Sequence, residues 1–280
     1  MASSDKFSLR VVSLQPSATV ILASIGRLDC LAGCTKYCAD VCPEVKERGI
    51  PIVNDSWTAS SQEITRLKPD LVVAAVPYQE KAVGEILKSG ARFLGLAPKG
   101  LSDIYTDIAL IAGVMGASER GKEVVAAMRT EIEKFREKTR HSPRPHVYCE
   151  EWGNPLILSQ PWVAELVDAA GGTFVGPPGK QTSAEAVLAH NPDVVITAWC
   201  GAGDRVPLQK IVKTRNWGNM TAVQQSRVFC IRDEYLNTPA PTLINGLHAL
   251  AFAIHPELFP HCDGLISITD VPSPKRERLG

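Results

Sequence analysis

The chain has 280 residues, enough for two domains whose cores would bury about 75% of the surface of the extended chain. Thirty basic residues balance thirty acidic ones, so no net field draws it to nucleic-acid backbones or anionic lipid. Hydrophobic residues at 45% and charged residues at 21% are globular proportions, and no apolar run approaches the roughly 20 residues of a membrane span, which excludes insertion.

In chain order, Leu9 to Leu14 is a short apolar run ended by Gln15-Pro16-Ser17, and Ala18 to Ile25 has helical spacing, so a strand, a turn and a helix are predicted. Leu31-Ala32-Gly33 and Ile52-Val53-Asn54 are further short apolar runs. Asp70 to Val76 and Arg92 to Leu96 read as strands flanking a helix from Glu80 to Ser89, whose Lys88-Ser89-Gly90 ending supplies a cation and a terminal glycine. From Ser102 to Thr139 apolar residues recur every three or four positions among many charges, with no proline before Pro143. One helix of roughly 50 Å at 1.5 Å per residue is predicted there, with Gly113 and Gly116 as places to bend. The β-α alternation then resumes: strand His146 to Cys149, helix Pro161 to Ala170 closed by Gly171-Gly172, strands Asp193 to Ala198 and Arg227 to Ile231. The predicted fold is α/β: two α/β lobes with mainly parallel sheets, residues 1–100 and 142–270, joined by one long backbone helix over 101–141, with a charged tail at 271–280.

Ligands of open α/β sheets gather beyond the carboxyl ends of the strands. The residues following the apolar runs are unusually aromatic: Tyr37, Trp57, Tyr78, Trp152, Trp199 and Tyr235. Each could cap the core by itself, but six from both halves predict an aromatic-lined cleft that grips a large, flat or apolar ligand.

The ordered segments RVVSLQPSAT, GCTKYCADVCPEV, SSQEITRLKPDLVVA, the long helix, CEEWGNPLILSQPWVAELVDAAGG, SAEAVLAHNPDVVI and DEYLNTPAPTLINGLHAL, over about residues 9 to 260, carry a resemblance. The chain resembles the helical-backbone substrate-binding proteins that deliver cobalamin, haem and ferric siderophores to ABC transporters, its cobalamin-binding members above all. That resemblance implies a ligand cleft between the lobes, with contacts from Tyr37, Trp57, Trp152 and Tyr235. It also implies docking of each lobe to a permease through one acidic residue at a helix start. Glu63 in SSQEITRLKPD and Glu185 in TSAEAVLAHNPD match that position, where a plain first-turn carboxylate would also be favoured by the helix dipole. Val20 stands where the family usually has Glu, so a reciprocal capping carboxylate is lost.

A second departure is the thiols. Cys34, Cys38 and Cys42 recur every four residues where the family has hydroxyl and small side chains, and Cys149 and Cys200 stand at later strand ends. With Cys34, Cys38, Cys149 and Cys200 as ligands, such a set suits zinc, Cu(I), an iron–sulfur cluster or the axial position of a corrinoid or haem metal. The same spacing equally places Cys34, Cys38 and Cys42 on one helical face as small core residues. Cys30, Cys230 and Cys262 read as structural, and the six histidines avoid the strand exits.

No dinucleotide, P-loop or nucleophile-elbow signature is found, and Glu150 and Glu151, adjacent on an extended segment, point to opposite sides, so no enzyme is expected. The expected partners are a metal-chelate or corrinoid small molecule and an ABC permease, with no nucleic acid and no membrane insertion. The rival reading is a cytosolic cysteine-ligated metal, iron–sulfur or corrinoid-handling protein on the same fold. As written, Met1 to Arg10 carries no secretory signal and the expectation is the cytoplasm; with a signal removed, it becomes the periplasm or cell surface.

Overall fold

The computed structural model describes residues 9–76 and 79–270, so Tyr78 and the charged tail lie outside the described residues. The chain divides into two compact units, Met1–Thr130 with Thr238–Thr242, and Glu131–Asn237 with Leu243–Gly280.

In the first unit the elements run β1 (Val11–Ser13), α1 (Pro16–Ser24), β2 (Leu31–Thr35), α2 (Lys36–Val41), α3 (Glu44–Glu47), β3 (Ile52–Val53), α4 (Ser61–Arg66), β4 (Leu71–Ala75), α5 (Glu80–Lys88), β5 (Arg92–Leu96) and α6 (Leu101–Val114). The strands pair in the order β3-β2-β1-β4-β5, all parallel. Such a sheet is covered on both faces, which is why β1 and β4 are buried along their whole length, β4 as a continuous apolar run, while β3 and β5 at the edges are partly exposed. Val12, Leu14, Ile64, Val72 and Ile86 form one core cluster, each stabilising by about 1.5–3 kcal/mol through burial. Pro16 opens α1, where its missing N–H leaves no bond unmade. The Thr35 hydroxyl caps α2 by accepting from the Cys38 N–H at 3.2 Å.

The helix expected without interruption from Ser102 to Thr139 is two helices, α6 and α7 (Ser118–Thr139). Gly116 takes the left-handed φ of +62°, and the N–H groups of Met115, Gly116 and Ala117 turn back to the Ile111, Gly113 and Ala112 carbonyls. The guanidinium of Arg27 then donates to the Met115 and Gly116 carbonyls at 3.0 and 3.1 Å. Those carbonyls are spent on closing α6, and the chain restarts as α7 at Ser118. The boundary between the two units falls within α7.

The second unit continues with β6 (His146–Gly153), β7 (Leu156–Leu158), α8 (Pro161–Ala169), β8 (Thr173–Phe174), α9 (Ala184–His190), β9 (Val194–Thr197), α10 (Leu208–Thr214), α11 (Thr221–Gln224), β10 (Val228–Ile231), α12 (Asp233–Asn237), α13 (Leu243–Ile254) and β11 (Leu265–Ser267). Its sheet order is β11-β10-β9-β6-β7, with β8 paired to the start of β6. β6, β8, β9 and β10 are parallel, and β7 and β11 are antiparallel edges. Both units are therefore mainly parallel α/β folds, as expected. A buried cluster containing Tyr148, Trp217, Leu208, Met220 and Val228 forms a core of this unit.

Candidate functional site

In each sheet the chain reverses its direction of strand addition at one place, and the crevice beyond the strand ends there is where ligands gather. In the first unit this lies between β1 and β4. Gln15, the residue before α1, sends its amide nitrogen to Ser56 Oγ at 2.9 Å and to the Ala75 carbonyl at 3.2 Å, tying the exits of β1, β3 and β4 together. Ser13 and Thr19 share a hydroxyl bond of 2.8 Å just behind it.

Two of the expected aromatic residues stand at these exits. Tyr37, in the first turn of α2, is 41% exposed, with the Lys36 ammonium 4.8 Å from its ring centroid. Trp57, in the turn after β3, is 47% exposed. Its loop is held by Asp55, whose Oδ1 accepts the Trp57 and Thr58 N–H groups at 3.0 and 3.1 Å and the Thr58 hydroxyl at 2.9 Å.

In the second unit the reversal lies between β6 and β9, where Glu150 pairs in register with Thr197. Trp152, at the end of β6, is 44% exposed, and its indole N–H donates to the Asn154 carbonyl at 3.0 Å. Trp199, expected beside it, does not offer its ring in the same way. It is half-buried, donates to Glu150 Oε1 at 2.7 Å and packs on the core. Tyr235, on α12, is also half-buried, its ring lying against Gly264. Both are partly packed side chains: one indole has found a carboxylate, and one ring a glycine surface.

The thiols do not form the expected metal site. Among the described residues no group of three or more His, Cys, Asp or Glu is placed to hold a metal ion. Cys34 lies in β2, Cys38 in α2, and Cys42 just past α2, so they do not share one helical face, yet all three are buried. Cys38 Sγ lies 3.2 Å from Thr35 Oγ1, and Cys42 Sγ lies 3.0 Å from Glu44 Oε2. Cys149 is inside β6 and fully buried, and burial pushes its thiol up. Thiols buried in this way, with no metal-binding group around them among the described residues, are packing groups. Cys200, in the turn after β9, is exposed as a residue, but its sulfur is turned against the Asn237 amide at 3.3 Å. Burial of that thiol, and then the carboxylates of Glu151 and Asp233, push it up to about 12.

The two first-turn carboxylates differ. Glu63 is half-buried and accepts the Asn54 N–H at 3.3 Å. Glu185 is exposed in a turn capped by Ser183, whose hydroxyl accepts from the Ala186 N–H at 3.2 Å. Its own N–H and the Ser183 hydroxyl hold its carboxyl below the usual range.

Sequence reasoning missed the polar framework behind β6. Glu150 is completely buried and ion-paired with Arg215 from the end of α10. Glu151, on the opposite side of the strand, is pushed up to about 7 by burial, and Gln160 donates to it. Asp233 accepts the Gly201 and Gly203 N–H groups, both at 2.8 Å, and so fixes the loop after β9. The one legible signal was a charge on the same strand face as Tyr148; Arg215 lies in an ordinary polar stretch.

Comparison with known proteins agrees with this architecture. A family model described as periplasmic binding protein matches residues 11–235. An uncharacterized ABC transporter substrate-binding lipoprotein of Bacillus subtilis is 25% identical over 89% of this chain and 81% of its own length. The vitamin B12-binding protein of Vibrio cholerae is 24% identical over 85% of this chain and 86% of its own. Among solved structures, a periplasmic heme binding protein from Pseudomonas aeruginosa superposes with a TM-score of 0.82 at 18% identity, covering 92% of this chain and 97% of its own, which speaks for the fold alone. With the matched model spanning most of both α/β units, the chain belongs to the periplasmic binding protein family.

Proposed function

We propose that this protein is the substrate-binding component of an ABC transporter and that its ligand is a metal-chelate ring system of the corrinoid or haem type. One observation carries the reading: Tyr37, Trp57 and Trp152 stay 41%, 47% and 44% exposed at carboxyl ends of the strands, where α/β sheets bind ligands. Aromatic faces held in water await a flat partner, because burying them against one recovers both apolar area and ring contacts. The names of the relatives support the same ligand class and a transport role. They also support a position outside the cytoplasm in place of the cytoplasmic expectation, and among the described residues no helix is long and apolar enough to cross a membrane. The rival of a thiol-ligated cluster loses its footing because Cys34, Cys38 and Cys149 are buried and, among the described residues, no group of three or more His, Cys, Asp or Glu is placed to hold a metal ion. Glu63 and Glu185, at the matching helix starts of the two units, are the proposed contacts to the permease.

The test is a fluorescence titration with cyanocobalamin, haemin and a ferric siderophore. A saturable quench of tryptophan emission, with micromolar or tighter half-saturation (about 8 kcal/mol of binding) for at least one of them, is expected. Unchanged emission with all three would remove the reading.

A further inference from the structure

The carboxylate of Glu150, fully buried in β6, accepts from Arg215, Tyr148 and Trp199. Arg215 Nη1 reaches Oε2 at 2.8 Å and Nη2 reaches Oε1 at 3.0 Å, a two-pronged ion pair. The Tyr148 hydroxyl donates to Oε2 at 2.6 Å and the Trp199 indole N–H to Oε1 at 2.7 Å. Arg215 lies over the Trp217 ring, 4.8 Å from its centroid, and spends one more bond, 3.1 Å, on the Gly153 carbonyl.

That last bond lies in the hairpin joining β6 and β7, which carries Trp152. Gly153 pairs with Leu156 and Trp152 with Ile157, past a register shift after Glu150. The Trp199 ring lies so close over Gly153 that a Cβ there would collide with it. The hairpin is thus gripped on its carbonyl by Arg215 and on its face by Trp199, and both grips are set by one carboxylate. A buried ion pair seldom stabilises a fold more than an apolar pair of the same volume would. What an apolar pair could not do is hold the Gly153 carbonyl and orient the Trp199 indole together.

We propose that Glu150 and Arg215 are positioning residues for ligand recognition: by clamping Gly153 and Trp199 they fix the hairpin that presents Trp152. This role rests on the reading of Trp152 as a ligand contact.

The double variant Glu150→Leu/Arg215→Met removes both charges together, so neither is left buried and unpaired. In protein labelled with 5-fluorotryptophan, the 19F line of Trp152, assigned through Trp152→Phe, should shift and broaden without any ligand present. The line of Trp162, which is bonded to the Leu236 carbonyl elsewhere in the unit, should stay in place as the sign of intact folding. Affinity for whichever of cyanocobalamin and haemin the wild type binds should fall about 10-fold or more. A Trp152 line and an affinity both unchanged, with Trp162 in place, would overturn the proposal. Should the double variant lose the Trp162 line, Trp199→Phe, which removes only one donor from Oε1, takes its place: a moved Trp152 line supports the positioning role and an unmoved one overturns it. If the wild type binds neither probe, the ligand reading is what fails; the Trp152 line, read without ligand, still decides the positioning role.

Discussion

Asp107 is buried on α6 with only 8% exposure. Burial, with the like charge of Asp103 one turn away, pushes its carboxyl from 3.8 up to about 6. The folded state therefore holds a proton that the unfolded state releases between about pH 4 and 6, so stability falls as pH rises through that window and stays lowered above it. Asp107→Asn should stabilise the protein by about 2 kcal/mol at pH 7.5 and by almost nothing at pH 4, read from urea unfolding at the two pH values. At this scale the sequence was informative where a residue's place along the chain decides its exposure. Tyr37, Trp57 and Trp152 follow apolar runs and emerge at strand ends. Trp199 gives the same signal and turns inward, because the carboxylate that draws its indole lies 49 positions away. The cysteine spacing suggested one face of a helix, but the segment is strand, cap and helix in succession, and each thiol is buried from a different element.

Elements were legible in proportion to their length and burial. Long amphipathic or wholly apolar runs, such as β4, β5, α5 and α8, lie within a residue or two of where periodicity puts them. The short strands β7, β8 and β11 have two or three residues each and carry no period to read. The break between α6 and α7 is the most instructive difference. Helical spacing continues across Met115-Gly116-Ala117, and the interruption comes from one left-handed glycine together with the distant Arg27, which takes the freed carbonyls. Gly116→Ala should therefore cost about 1–2 kcal/mol, since a Cβ at φ +62° meets its own backbone. A lower urea midpoint with unchanged slope would show it, and an unchanged midpoint would mean that the turn tolerates a side chain.

For the whole molecule, each unit has its own mainly parallel sheet and a buried apolar core, and each places a first-turn glutamate on a helix, Glu63 on α4 and Glu185 on α9. If these dock to a permease, Glu185→Ala should leave ligand affinity within about 2-fold and slow uptake in a reconstituted transporter by 10-fold or more. Glu185 is the cleaner probe, because the Glu63 carboxylate also holds the Asn54 N–H. Fold class was legible from the alternation of strands and helices, whereas the polar framework that supports the site joins Glu150 to Arg215, 65 positions apart. The functional reading stands on exposed aromatic side chains at the strand ends binding a flat metal-chelate ligand, and calorimetric titration of the wild type and of Trp57→Ala/Trp152→Ala with cyanocobalamin and haemin probes that step itself. One saturating site is expected in the wild type for at least one ligand, with affinity lowered at least 10-fold in the variant, about 1.4 kcal/mol or more; equal affinity in the two proteins, or no heat of binding in either, would contradict it.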